Sequence, residues 1–191
     1  MDQSVVEAIA KWPDVPHVYG WLALSARGQW RLRGEPVANA AIRDFIGRNY
    51  ACDERGRWFF QNGPQRVYVE LELAPWIFRL QPDGRLRTFT GLQPRQLHAA
   101  ALVDGQALVL RTDLGAGGVD VRDAERVLAA LTDRRGRSLD DAALERALGG
   151  EQALYVAAAR LGLGEAIVPL QRVSREALAG AFGFDPAPRE S

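Results

Sequence analysis

The pattern Asp-x-Arg-Gly-Arg is written twice in this chain, at residues 53 to 57 and at 133 to 137, each time just after an apolar segment of helical period. A chain that leaves a helix and must reverse into a strand needs a residue that tolerates positive φ, and Gly56 and Gly136 supply it. Asp53 and Asp133 carry the side chain that accepts hydrogen bonds from the backbone amides of such a turn. The pattern is then structural punctuation, and its repetition predicts that one unit of structure occurs twice. Its functional rival is an anion site made from Arg55, Arg57, Arg135 and Arg137.

The flanking segments repeat in the same order. "VPHVYGWLALSARGQWRLRGEP" reads as two strands, about 18 to 24 and 29 to 33, joined by a turn at Gly28. Pro36 suits the first turn of a helix, and Val37, Ala41, Ile42, Phe45 and Ile46 recur at helical spacing as far as Asn49. After Asp53 come "RWFFQ", "RVYVELEL", "WIFRLQ" and "RLRTFTG", an antiparallel meander by its alternation. Val67, Val69, Leu71 and Leu73 take one face, and Tyr68, Glu70 and Glu72 the other.

In the second half, "LHAAALVDGQALVLRT" is again strand, turn and strand, with Gly105-Gln106 where Gly28-Gln29 stood. Asp120 then caps a helix with Val121, Ala124, Val127, Leu128 and Leu131 inside. An added short helix starts at Ser138, with Asp141 completing a capping box. "ALYVAAARL" echoes "RVYVELELA", setting Tyr155-Val156 against Tyr68-Val69, and "AIVPLQRV" echoes "WIFRLQ". The expected fold is α+β: two related β-β-α-β-β units with mainly antiparallel sheets, packed into one compact body. Its expected parts are a helical lead-in over 1–17, subdomains over 18–95 and 96–183, and a frayed tail over 184–191, where "DPAPRES" is proline-rich and polar.

One stretch resembles a known family. Trp30 through Arg-Leu-Arg-Gly34-Glu-Pro36, the helix, Arg-Asn-Tyr50, then Asp53 with Gly56-Arg57-Trp58 and "VYVELELAP" resemble the proteobacterial domain of unknown function 1285, or a sister family of conserved hypothetical proteins. The resemblance covers roughly residues 27 to 81. It implies a mixed α and β fold with repeated motifs, and it brings no established reaction or catalytic residue. The second strand after the turn, "WFFQNGPQ", departs from the family pattern, and the C-terminal half matches it only loosely.

Composition narrows the function classes. Twenty-four basic residues balance 24 acids, so no global field draws the protein to nucleic acid or to an anionic membrane. Only Lys11 is lysine, a bias that reflects a GC-rich genome more readily than arginine chemistry. Cys52 is the single cysteine, which excludes an intrachain disulfide. The start "MDQSVVEAIAKWPD" has no signal-peptide pattern, and no apolar run reaches the roughly 18 residues of a membrane span, so the expectation is a soluble cytoplasmic protein.

His17, His98 and Cys52 form no zinc spacing, and no G-x-S-x-G surrounds any serine. "LGAGGVDVRD" lacks the lysine and hydroxyl of a phosphate loop and reads as a flexible loop. Neither a metal nor a cofactor is expected. Asp53 and Glu54 beside Cys52 oppose a reactive thiolate.

What is left points to binding. Glu70 and Glu72, spaced i and i+2, place two carboxylates on one side of a strand roughly 7 Å apart. Arg31, Arg33, Arg79 and Arg87 sit in alternating patterns that can face the same side. The six form either a polar groove for a charged ligand or a ladder of surface ion pairs. Twelve of the 16 aromatics lie in the first 80 residues, among them Trp30, Trp58, Phe60, Trp76 and Phe78 on strands, and these read mainly as core.

The functional expectation is a non-enzymatic binding or regulatory module, signalling among its possible roles. It would take an unknown small ligand or protein in a groove on or between the sheets, and neither nucleic acid nor membrane. The alternative is a hydrolase or lyase using Glu70 and Glu72, and exposed aromatics such as Trp12 or Trp76 offer a homodimer surface.

Overall fold

The computed structural model describes residues 1–12 and 15–190. The protein is α+β and forms two compact units, Met1–Pro75 with Gly183–Ser191, and Trp76–Phe182.

The first unit begins with α1 (Gln3–Lys11), which buries Val5. Strands β1 (Val18–Leu24), β2 (Trp30–Leu32) and β3 (Glu35–Pro36) precede α2 (Ala40–Arg48). Strands β4 (Tyr50–Cys52), β5 (Trp58–Asn62) and β6 (Gln65–Leu71) follow it. They make one sheet in the order β3-β2-β1-β6-β5-β4. Only the central β1–β6 pair is parallel. The two edges are strands of two and three residues, too short to template pairing with another chain.

Pro36, expected in the first turn of the helix, lies instead in edge strand β3, where its missing N–H costs no ladder bond. The helix starts at Ala40, because Asn39 caps it by accepting the Ile42 N–H at 3.2 Å. Arg43 Nη1 donates to the Val37 and Ala38 carbonyls and fixes the approach to the helix.

The second unit contains β7 (Trp76–Leu80), β8 (Leu86–Thr88), β9 (Leu97–Val103), β10 (Ala107–Thr112) and β11 (Gly115–Val119). A 3₁₀ turn then leads into α3 (Ala124–Leu128), β12 (Leu131–Thr132), α4 (Asp141–Leu148), β13 (Tyr155–Ala157), β14 (Ile167–Val173) and α5 (Arg175–Phe182). Its sheet runs β12-β13-β14-β9-β10-β11-β7-β8, with β14–β9 and β11–β7 parallel. From β11 to β12 the order is that of the first sheet, strand for strand, with β9 and β14 as the central parallel pair.

Several sequence expectations change. "WIFRLQ" and "RLRTFTG" do not continue the first meander, because β7 joins the second sheet beside β11. The glycine-rich "LGAGGVD" is no loop. Its residues 115–119 are a buried strand, and Gly117 is required because a Cβ there would stand 2.4 Å from the Phe78 ring. Asp120 does cap, through the Arg122 N–H, but the helix is shorter than expected and Leu131 belongs to β12. The added helix α4 is capped by Asp140, whose carboxylate accepts the Ala143 N–H at 2.7 Å, and not by Ser138.

The strand correspondence also shifts by one: β6 matches β14 and β5 matches β13. The ladders β1–β6 and β9–β14 end on Leu24–Leu71 and Val103–Val173, which sets Glu70 against Arg172, not against Ala157.

The twice-written pattern is one turn built twice. In each copy the aspartate N–H donates to the carbonyl of the second arginine, and the glycine N–H donates back to the aspartate carbonyl, all at 3.0 Å. Asp53 Oδ1 accepts the Arg55 and Arg57 amides, Asp133 Oδ1 those of Arg135 and Arg137, and both glycines hold φ 76°. The same five-residue frame closes at Ser25–Gln29, Gln81–Arg85 and Thr88–Leu92. Gly105 differs, since Asp104 and Gly105, both at positive φ, are the central residues of a turn closed by the Gln106 N–H to the Val103 carbonyl within a three-residue connection.

The C-terminal segment, read from sequence as a fraying end, is held against the first unit. Phe184 is buried, the Asp185 N–H donates to the Gly56 carbonyl at 2.9 Å, and the Leu71 N–H donates to the Pro186 carbonyl at 2.8 Å.

Candidate functional site

The first sheet presents two faces of different chemistry. On one, the ladder aligns Arg31 and Glu70 on either side of the small Ala23, which pairs with both. These residues line an open cleft of about 490 Å³ with Glu72 and Arg189. Glu72 Oε2 accepts the Ala26 N–H at 3.0 Å, so its carboxylate pins the β1–β2 turn. Glu70 Oε1 lies 3.8 Å from Arg189 Nη1, a loose pair on an exposed guanidinium.

Arg79 and Arg87 belong to the other unit. Arg79 Nε donates to Asp123 Oδ2 at 2.8 Å and lies 3.7 Å from the fully buried Asp120 carboxylate. Arg87 donates to the Gly91 carbonyl. Of the six residues selected from sequence, the structure thus lines one cleft with Arg31, Glu70 and Glu72, engages Arg79 and Arg87 in their own unit, and sends Arg33 elsewhere.

The opposite face holds a groove that sequence reasoning missed. Trp21, Leu32 and Ile42 are each about half exposed, at 48, 49 and 50%, and all three border one apolar groove of about 480 Å³ between α2 and strands β1 and β2. Its floor includes Leu22, Phe60 and Val67. Helical spacing placed Ile42 on the inner side of α2, but only Ile46 is buried. The available signal was Gly20: its φ of 71° coincides with a register break between Val18 and Leu22, a bulge that interrupts the alternation around Trp21.

Arg33 does not line this groove but stacks on Trp21, which borders both the groove and the cleft of the other face. Its guanidinium lies 3.9 Å over the Trp21 ring, and no carboxylate pairs with it among the described residues. Arg33 and Gly34 form the tight turn between β2 and β3, with φ 51° and 86°. That conformation favours Asn-Gly and costs an arginine on the order of 1 kcal/mol.

The other candidates are accounted for. Arg57 Nε donates to Asp53 Oδ2 at 2.8 Å, with its guanidinium 4.7 Å over Tyr68, whose hydroxyl donates to the same Oδ2. The Cys52 thiol is pushed up to about 11 by partial burial and then by the Asp53 charge, so it is not a thiolate at neutral pH. Trp76 is buried and its Nε1 donates to the Leu114 carbonyl, which removes it from any exposed dimer surface, while Trp12 is exposed. Trp30, Trp58, Phe60 and Phe78 are core. Among the described residues no three His, Cys, Asp or Glu gather as metal ligands, and no helix is long and apolar enough to cross a membrane.

Comparison with known proteins adds family and fold. Residues 1–189 match the family DUF2944, described as "Protein of unknown function (DUF2946)". The chain is similar to the crystal structure of a DUF1285 family protein from Silicibacter pomeroyi DSS-3, with a TM-score of 0.51 at 14% identity over 93% of this chain and 98% of that one. A DUF1285 family protein from Shewanella baltica OS155 aligns over 55% of this chain and 87% of its own at 20% identity, with a TM-score of 0.41. No curated protein matches the sequence. The Silicibacter likeness shows a shared fold, in keeping with the resemblance read from residues 27 to 81.

Proposed function

This chain belongs to the DUF2944 family, whose description assigns no activity, and we propose from its geometry that it is a non-catalytic binding module whose ligand site is the apolar groove of the first unit. The observation that carries this reading is the convergence of Trp21, Leu32 and Ile42, three large apolar side chains left half exposed, on one concave surface. A volume of about 480 Å³ falls in the range of small-molecule sites. Scattered exposed hydrophobics are normal, but a cluster rimmed by polar groups marks a binding surface.

The placement of the acids supports the non-catalytic part. Glu72 is bound to a turn amide and Glu70 faces an arginine of the C-terminal segment, so the pair serves loop and tail. The common strand order of the two sheets supports an internal duplication. A duplicated scaffold leaves one copy free to diverge toward a ligand, and the helix of the groove has nine residues where its counterpart α3 has five.

A thermal-shift screen of the full chain against nucleotides, small acids and amphiphiles tests the reading, with Ile42→Asp as the control. A ligand of the groove raises the midpoint of the parent and leaves Ile42→Asp unmoved. A hit that shifts both proteins equally, or no hit at all, overturns the groove as a small-molecule site. Light scattering distinguishes the homodimer alternative, in which Ile42→Asp or a Trp12 replacement turns a dimer into a monomer.

A further inference from the structure

We infer that the ligand of this groove is an elongated molecule with an apolar body and a cationic end held by Glu35, a reading that rests on the groove being the binding site and adds the chemistry of its occupant.

The ladder fixes the shape. Glu35 pairs with Leu32, Leu32 with Leu22 and Leu22 with Val69, and further along the sheet Val67 pairs with Phe60 and Asn62 with Gln65. Cross-strand partners point to one face of a sheet, and so do residues two apart on a strand. One apolar row therefore crosses the strands from β3 to β5, a span of about 19 Å at the usual strand spacing. Ile42 and Ile46 of α2 line the same groove. The row has unlike ends, with the carboxylate of Glu35 at one and the neutral amides of Asn62 and Gln65 at the other.

The sign of the charge follows from Glu35. It alone is charged among the residues that line the groove, and among the described residues no cation pairs with it. An occupant that covers Glu35 strips water from an unpaired carboxylate, which costs free energy unless the occupant brings a positive charge to that end. An anionic end would add repulsion. A charge on an outermost strand can also serve to discourage pairing with another chain. Here that purpose is already met, because β3 has only two residues.

The experiment titrates the full chain with octylamine, octanol and octanoate below their micellar concentrations at pH 7, read by calorimetry and tryptophan fluorescence. Alkylamines titrate near the lysine value of about 10, so octylamine is then the ammonium ion. It is expected to saturate one site and to bind more tightly than the other two. Glu35→Gln loses no ion pair, so it should melt where the parent does. It should nevertheless weaken octylamine about tenfold, the loss of one charge-assisted contact, and leave octanol unchanged. Glu35→Lys should make octanoate the tightest of the three. If octylamine binds no better than octanol, if octanoate is preferred by the parent, or if Glu35→Gln weakens all three alike, the assignment of the charged end is overturned while the groove stands. If no probe binds in a manner abolished by Ile42→Asp, the groove itself is wrong and the assignment falls with it.

Discussion

Gly56 and Gly136 share one φ and one turn, yet their surroundings separate them. A Cβ at Gly56 would stand 2.9 Å from the Gly183 carbonyl oxygen, backbone that cannot swing aside, whereas at Gly136 the atom met at 2.9 Å is Ile167 Cδ1, the end of a flexible side chain. Gly136→Ala should cost about 1 kcal/mol, the left-handed penalty alone. Gly56→Ala should add overpacking of about 1–3 kcal/mol. Urea midpoints would show the order, and equal losses would mean that the Gly183 contact is slack. The duplicated pattern was legible because local hydrogen bonding fixes it. What each copy touches depends on residues far along the chain, and no short-range pattern encodes that.

At the scale of elements, what the sequence shows and what it hides divide along the same line. Alternation located β6, and the turn residues located four of the five-residue frames. Pairing partners were not legible: β7 reads as the next strand of a meander, but its neighbour is β11, and the reason is Phe78 lying over Gly117. The groove was hidden because a helical period shows which residues share a face and not how far the partner sheet extends beneath them.

The turn carboxylates carry a prediction of their own. The Arg122 side chain holds the Asp120 carboxyl below its usual range against its burial. Burial would raise that of Asp53, but the backbone amides of Arg57 and Arg55 and the Arg57 guanidinium outweigh it and hold it low. Groups depressed in the folded state bind fewer protons than in the unfolded chain, so stability rises with pH where they differ. Their contribution should be complete above the ordinary aspartate range near pH 4 and be lost as pH falls through the depressed values. Denaturant melts from pH 7 to pH 2 should show this, with Asp120→Asn giving lower stability at neutral pH and a shallower decline. A profile unchanged by the substitution would reject the role given to Asp120.

On the scale of the molecule, the first unit is assembled from two distant stretches of chain, residues 1–75 and the segment after Phe182. Phe184 supplies the buried anchor of that segment. Phe184→Ala should cost about 3 kcal/mol or more and release the Leu71 amide, which is bonded to Pro186. Hydrogen exchange at Leu71 should accelerate while Val109 and Leu110, buried in the second unit, keep their protection. Acceleration at both places would mean that the two units do not open separately.

The bonds from Asp185 to Gly56 and from Leu71 to Pro186 also set a schedule for synthesis. When residue 75 leaves the ribosome, the six strands of the first sheet are present but the C-terminal segment of their unit has not been translated, whereas the second unit is one continuous stretch, Trp76–Phe182. The later-made half can therefore finish before the earlier one, and the nascent first half must wait with the apolar seat of Phe184 unfilled, which makes that interval the moment at which this protein most needs a chaperone.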